Sequence, residues 1–411
     1  MTVQSTATFQ ATAGTVSFVN ATAGTISNTS AAGAPQLTFF NMVINKSGGA
    51  AVTTSSSITI AGNYTNTAGD LTCSAPSTLT FAGTVNRLST VTAGAVTFND
   101  LTIAMGAGTT LTHSGSFSLR SDYSCTSGSF NATGGTVTWI NDTANSTVNH
   151  AGAGTTTFFH VTNNKFDGII HYNINCSSDI RLAGNYTNTT GNLNCTGGTV
   201  TFVGSSSIIA MNGGASWLFN SLTASKTAGQ TLTHTAGSFN IGVNFSCTSG
   251  SFTSSSAGTI SFTGAVVGDI AHAGVGTTTF DHIQLAKGAG VDVTSTSDWS
   301  VSGNYTNTSG DLVCSGGTVT FTGNSSTHAV NGGAVQYNSV TVAKNGLATL
   351  THSTATGFSV LGDFTCSGPG SFSATAGTVT LNGTSAQGIG GPGAITFNDL
   401  SLSGGSTKTL G

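Results

Sequence analysis

A seven-residue phrase returns along this chain at a nearly constant interval, and no other feature limits the possible folds as much. It reads Leu-Thr-Phe-Phe-Asn-Met-Val at 37–43, Val-Thr-Phe-Asn-Asp-Leu-Thr at 96–102 and Thr-Thr-Phe-Phe-His-Val-Thr at 156–162. Variants follow at 217–223, 278–284, 335–341 and 395–401. Each supplies one aromatic anchor: Phe39, Phe98, Phe158, Phe219, Phe280, Tyr337 and Phe397, spaced by 59, 60, 61, 61, 57 and 60 residues. A fixed period of this kind marks a chain built by stacking one unit, because a single unit cannot bury its apolar face alone.

Composition selects what the unit is made of. Only 5% of residues are charged, the 13 acids are all Asp, and Gly numbers 57 against 4 Pro. Long helices need Glu, Lys, Leu and Ala at helical spacing, and that pattern is missing. Short Val/Ile/Thr/Phe runs broken by Gly, Asn and Ser read as strands and turns. A disordered Gly/Ser/Thr chain would carry few aromatics and keep no register, whereas 23 Phe recur here in phase. The net charge of −4 leaves no basic footprint for nucleic acid. No apolar run approaches the ~20 residues of a membrane-spanning helix.

Within a unit, strand-like segments fall at 96–103, 116–119 and 136–140, close to 20 residues apart, with Gly-rich punctuation between them. The expected fold is all-β: a parallel β-solenoid of ~20-residue coils, three coils per ~60-residue repeat. About twenty such coils at ~4.8 Å would give a length of about 95 Å. Gly-Asn-Tyr-Thr-Asn at 62–66, 184–188 and 303–307 alternates with Asp-Tyr-Ser-Cys at 122–125, Asn-Phe-Ser-Cys at 244–247 and Asp-Phe-Thr-Cys at 363–366. The true unit is therefore a doublet of ~120 residues. Residues 1–411 read as one continuous solenoid, with units at 27–85, 86–143, 144–204, 205–264, 265–323 and 324–384 and partial units at 1–26 and 385–411. An array of separate β-sandwich domains is the alternative, but no linker or composition shift divides the units.

These motifs resemble the large bacterial extracellular proteins built from Phe-Asn-x-Leu and Gly-Asn-Tyr/Phe-Thr β-strand repeats. More distantly, they resemble the β-helical stalks of filamentous-haemagglutinin-like adhesins and autotransporter passengers. The resemblance covers essentially the whole chain and implies a scaffold at the cell surface or outside the cell. The secretion and anchoring segments expected of those families do not occur within these 411 residues.

Three residue series invite a chemical reading. Lys46, Lys165, Lys226, Lys287 and Lys344 each follow their anchor by seven residues, with Met105 and Gly404 at the equivalent positions. They are expected to form one outward column, either a charge ladder for an anionic polymer or glycan, or corner lysines that keep a strand edge soluble. Of the seven Cys, most are expected to be buried thiols. Cys176 and Cys195 lie 19 residues apart, one coil, and could form a disulfide. Histidines recur at His113, His234 and His352, at His150 and His272, and at His160 and His282, too far apart to share a metal and best explained as inherited repeat positions.

Enzymatic motifs are missing: Asp70, Asp100, Asp122, Asp311 and Asp363 are scattered at corners, with no nucleophile elbow, P-loop or His-Glu-x-x-His. No cofactor is expected. Thr-x-Thr pairs such as 110–112, 136–138 and 318–320 suggest an ice-ordering face, but they fall in two phases and skip coils, so Thr reads simply as an outward strand residue. Sequons, among them Asn63, Asn185, Asn188, Asn304 and Asn307, permit glycosylation. The residues after Phe397 and before the first full unit leave a gap of roughly ten residues of one repeat, so copies stacked head to tail would continue the period. The expected role is a structural subunit of an extracellular or cell-surface fibre whose partner is itself, with a glycan-binding adhesin stalk as the alternative.

Overall fold

The structure is a computed structural model that describes residues 1–3, 9–28, 37–140, 144–213, 216–255 and 258–411. The unit boundary expected at residue 143 lies outside the described residues. These residues form strands and turns with no helix, hence no helix long and apolar enough to cross a membrane. The fold is a parallel β-solenoid with about 17 turns along the chain, roughly 22 residues apart. Two compact units are distinguishable, Met1–Val200 with Asn212–Ser216, and Thr201–Met211 with Trp217–Gly411.

Apart from Thr2–Val3, which pairs with Gly24–Asn28 two places on, the strands of both units pair in parallel with the strand three places further along, so each turn contributes one strand to each of three ladders. In the first unit, the first ladder runs through Leu37–Phe39, Ile58–Ile60, Thr78–Gly83 and Asp100–Met105. The second runs through Asn41–Lys46, Tyr64–Ala68, Arg87–Val91 and Thr110–Ser114. The third runs through Ala51–Thr54, Asp70–Cys73, Val96–Phe98 and Phe117–Leu119. Strands alternate inward and outward residues: in Thr78–Gly83, Leu79 and Phe81 are buried while Thr78 and Thr80 are half-exposed. In-register pairing then stacks like on like, as with Val319 on Val340 and Phe321 on Val342.

The repeat and the turn are not commensurate, which corrects the expected three coils per unit. Val96–Phe98 comes eight strands after Leu37–Phe39, and the same step of eight leads to Thr156–Phe158, Trp217–Phe219, Thr278–Phe280 and Val335–Tyr337. At three strands per turn, one 60-residue repeat makes two and two-thirds turns. The recurrent phrase is itself two strands, Val96–Phe98 and Asp100–Met105, bent at the single residue Asn99. Segments such as Thr110–Ser114, Tyr123–Ser127 and Ser129–Ala132 are additional strands.

The anchors therefore do not form one ladder. Phe39 lies on the first ladder, Phe98 on the third and Phe158 on the second. Phe219, Phe280 and Tyr337 of the second unit likewise sit on three different ladders. All six are buried, and Phe397 is half-exposed. Each packs against aromatic residues of its own ladder, of the other ladders, or of both. Phe158 meets Tyr123, Phe130 and Trp139 at ring-centroid distances of 5.0, 5.7 and 5.6 Å, and Phe280 meets Phe245, Phe252 and Trp299 at 5.1, 5.6 and 5.9 Å. Burial of each such ring stabilises by about 1.5–3 kcal/mol.

Candidate functional site

The lysines follow from strand parity. In Asn41–Lys46 the inward residues are Met42, Ile44 and Lys46, and in Ser339–Lys344 they are Val340, Val342 and Lys344. Lys46, Lys165, Lys226, Lys287 and Lys344 are only 5, 0, 1, 2 and 1% exposed. Their ammonium groups donate to neutral oxygens on earlier coils. Lys165 Nζ reaches Arg120 O at 2.8 Å and Ser146 Oγ at 2.7 Å, and Lys287 Nζ reaches Gly242 O at 2.6 Å and Val266 O at 3.0 Å. Lys46 bonds Thr22 O, Lys226 bonds Val203 O, and Lys344 bonds Thr322 O and Ser326 Oγ. Burial lowers Lys226, Lys287 and Lys344 to about 8.

The outward lysine column is thereby corrected in both its versions. The side chains point inward, and successive members of the series fall on different ladders, so they neither face a polymer nor solubilise an edge. Met105, buried in the equivalent slot, shows that the position is a corner to be filled.

Next to this slot the following strand carries a bulge. The register shifts between Ile44 and Asn45, Ile103 and Ala104, Asn163 and Asn164, Ala224 and Ser225, and Leu285 and Ala286. Just before the extra residue lies the alternating Asn or Cys of the doublet. Asn66, Asn188 and Asn307 donate Nδ2–H to Gly69 O, Gly191 O and Gly310 O at 3.1, 3.1 and 3.0 Å. Cys125 and Cys247 donate Sγ–H to Gly128 O and Gly250 O at 3.6 and 3.5 Å. Asn and Cys are thus interchangeable buried donors for one glycine carbonyl, and the ~120-residue doublet alternates two solutions to the same corner. Asn188 and Asn307, counted among the sequons, are fully buried.

All seven Cys are buried free thiols. Cys176 and Cys195 are direct partners on adjacent strands, as the one-coil spacing required, but their sulfurs are not joined, so the expected disulfide is met in position and not in bond. A hydrogen bond between the thiols pushes Cys195 up and holds Cys176 down.

Equivalent histidines repeat equivalent contacts. His113 and His234 bond Ser89 Oγ and Ser254 Oγ at 2.9 Å, and each meets a Phe edge-on at 4.9 Å. His160 and His282 accept the N–H of Asn185 and Asn304 at 2.9 Å. His352 instead meets His328 at 3.0 Å, and His328 bonds Tyr337 OH at 2.7 Å. No group of three His, Cys or Asp that could hold a metal occurs among the described residues.

The corner Asp residues tie one coil to the next. Asp70, Asp122, Asp311 and Asp363 accept backbone N–H bonds from Ala95, Thr147, Ala334 and Gly388 at 2.6–2.7 Å.

What reaches solvent is mainly hydroxyl and amide. On the third ladder of the first unit the central outward residues pair as Thr25, Thr53, Thr72 and Thr97. They continue through Ser118, Thr138, Thr162 and Thr187, one per turn. The Thr-x-Thr pairs, such as 136–138, do skip turns on this ladder, but a single Thr or Ser fills every turn from Thr25 to Thr187, which the phase of the pairs did not reveal. Two and two-thirds turns per repeat bring all phases onto each ladder in turn.

The fold places the chain among the parallel β-solenoids. Comparison with known proteins finds no matching family model, curated protein or solved structure.

Proposed function

We propose that the chain is a structural subunit of an extracellular or cell-surface fibre, made by head-to-tail strand pairing between copies. One observation carries this reading. The Lys, Cys, Asn and Asp series are engaged in building the coils: lysines on carbonyls of earlier coils, Asp on the N–H groups of the next coil, and Cys and Asn on glycine carbonyls three residues on within the same corner. The parallel pairing that joins successive coils can equally be made by a second copy, as in β-strand addition. Such a contact is heterologous and does not close, so it propagates a filament. The sequence resemblance to β-strand-repeat surface proteins points the same way. The alternative, glycan binding through the lysine series, loses its support because those ammonium groups are buried.

Electron microscopy of the purified chain across a micromolar concentration series tests the proposal. Filaments that lengthen with concentration are expected. Isolated particles at every concentration would refute it.

A further inference from the structure

We infer that the threonine ladder of each unit is a dedicated face for binding ice. The first unit presents Thr or Ser at every described rung of that ladder from Thr25 to Thr187. The second unit presents another, through Thr233, Thr253, Thr279 and Ser300 and on through Thr320, Thr341 and Thr365. The remaining ladders are less uniform: in the first unit one runs Thr38, Thr59, Thr80, Thr102 and Ser124 before Asn149 interrupts it, and another runs Thr112, Asn131, Thr157 and Arg181. In the second unit one runs Leu218, Asn240, Ser261, Gln284, Thr306 and Ala329. Another runs Thr294, Val313, Gln336 and Ser359.

Neither β-propensity nor repeat inheritance accounts for this contrast. Propensity for outward Thr acts on all three ladders alike. Inheritance would spread each repeat position evenly, because the step of eight strands moves the repeat to a new ladder every unit. The residue before the anchor is Thr97 or Thr279 on the threonine ladders, whereas elsewhere it is Thr38 and Thr157 but also Leu218 and Gln336. The residue four after it is Thr162 or Thr341 there, whereas elsewhere it is Thr102 and Thr223 but also Val43 and Gln284. One turn on from the residue before the anchor stand Ser118 and Ser300 on the threonine ladders, and Thr59, Arg181, Asn240 and Ser359 on the others. One side of each unit has kept small hydroxyl residues against the rotation of its own repeat.

That uniformity restricts the partner. The column carries no charge, so it offers nothing to an ionic polymer. Every Thr rung gives one methyl and one hydroxyl group, and Ser118 and Ser300 the hydroxyl alone, at the strand spacing of about 4.8 Å, and eight rungs extend about 34 Å. In-register parallel pairing holds these groups in a straight, repeating row. An ice surface is uncharged, flat and periodic, with water oxygens at a repeat close to that spacing. The hydroxyls can join its hydrogen-bond network while the methyls fill the hollows between oxygens.

The test uses the full chain in freezing-point hysteresis and ice-recrystallisation assays. The double variant Thr138→Lys/Thr320→Lys places a long charge in the middle of each ladder, and Asn131→Lys/Thr306→Lys makes the same change on a mixed ladder of each unit. Thr138→Val/Thr320→Val keeps shape and fold while removing the hydroxyls, and circular dichroism checks all three. The unaltered chain is expected to inhibit recrystallisation, the first variant to lose most of that effect, the second to retain it and the valine variant to be weakened. An inert wild-type chain, or equal losses in both lysine variants, would overturn the inference. Retention on crystalline cellulose without action on ice would overturn it too, assigning the face to a polysaccharide. None of these outcomes depends on filament formation.

Discussion

Acid should loosen the coils around His113. The imidazole is 3% exposed, its Nε2–H donates to Gly115 O at 3.2 Å, and its Nδ1 accepts from Ser89 at 2.9 Å. Phe117 and Phe130 pack around the ring at 4.9 and 6.1 Å. Burial lowers its pKa from 6.5 to about 4. Between those values the unfolded chain binds a proton that the folded chain refuses, so stability falls as pH drops through 6.5 and levels off below about 4. The full span corresponds to about 3 kcal/mol, and the part reached between pH 7 and pH 5 to about 2 kcal/mol. A solenoid opens by segments, so the assay is native-state hydrogen exchange of the amides in Thr110–Ser114 and Ser129–Ala132. Ring titration by NMR on histidine-labelled protein accompanies it. His113→Gln should remove the pH dependence of those amides. A His113 ring that titrates near 6.5, or exchange protection unchanged from pH 7 to 5, would refute the reasoning.

Four further outcomes follow from the corners. Cys247→Asn should be nearly neutral in thermal unfolding because Asn307 makes the same bond, whereas Cys247→Val orphans Gly250 O and should cost about 1–3 kcal/mol. Lys344→Met, copying Met105, should retain most stability by calorimetry, while Lys344→Ala leaves a cavity costing about 2–5 kcal/mol. The same Lys344→Met change should flatten a rise in stability between pH 8 and 10.5, the window in which the unfolded lysine stays protonated and the folded one does not. Gly310→Ala should lower the melting temperature clearly: φ is +78°, and the new Cβ would lie 2.5 Å from Lys287 Cβ and 2.7 Å from Val291 O.

Part of the candidate site was legible before any coordinates. Lys46 shares parity with Met42 and Ile44, so its inward direction is written in the strand, although a lysine ordinarily reads as exposed. The corner inside the recurrent phrase is marked as well. The apolar spacing there is three rather than two, from Phe98 to Leu101 and from Phe280 to Ile283, which cannot hold both residues inward along one straight strand. The partners of these groups were not legible. Lys165 Nζ meets a carbonyl 45 residues earlier, and only the pitch of the coil sets that distance.

The sequence by itself determined an all-β solenoid with aromatic anchors inside and small polar residues outside, because period-2 alternation and a fixed repeat act locally and survive any arrangement of corners. Only the tertiary structure decided which ladder each residue joins. That depends on the running count of corners, such as the single residue Asn99: one bend fewer per repeat, eight strands instead of nine, changes three turns into two and two-thirds and moves every later position to another side. Charge column, anchor ladder and threonine face were all questions about that count, and it accumulates along the chain where local sequence cannot register it.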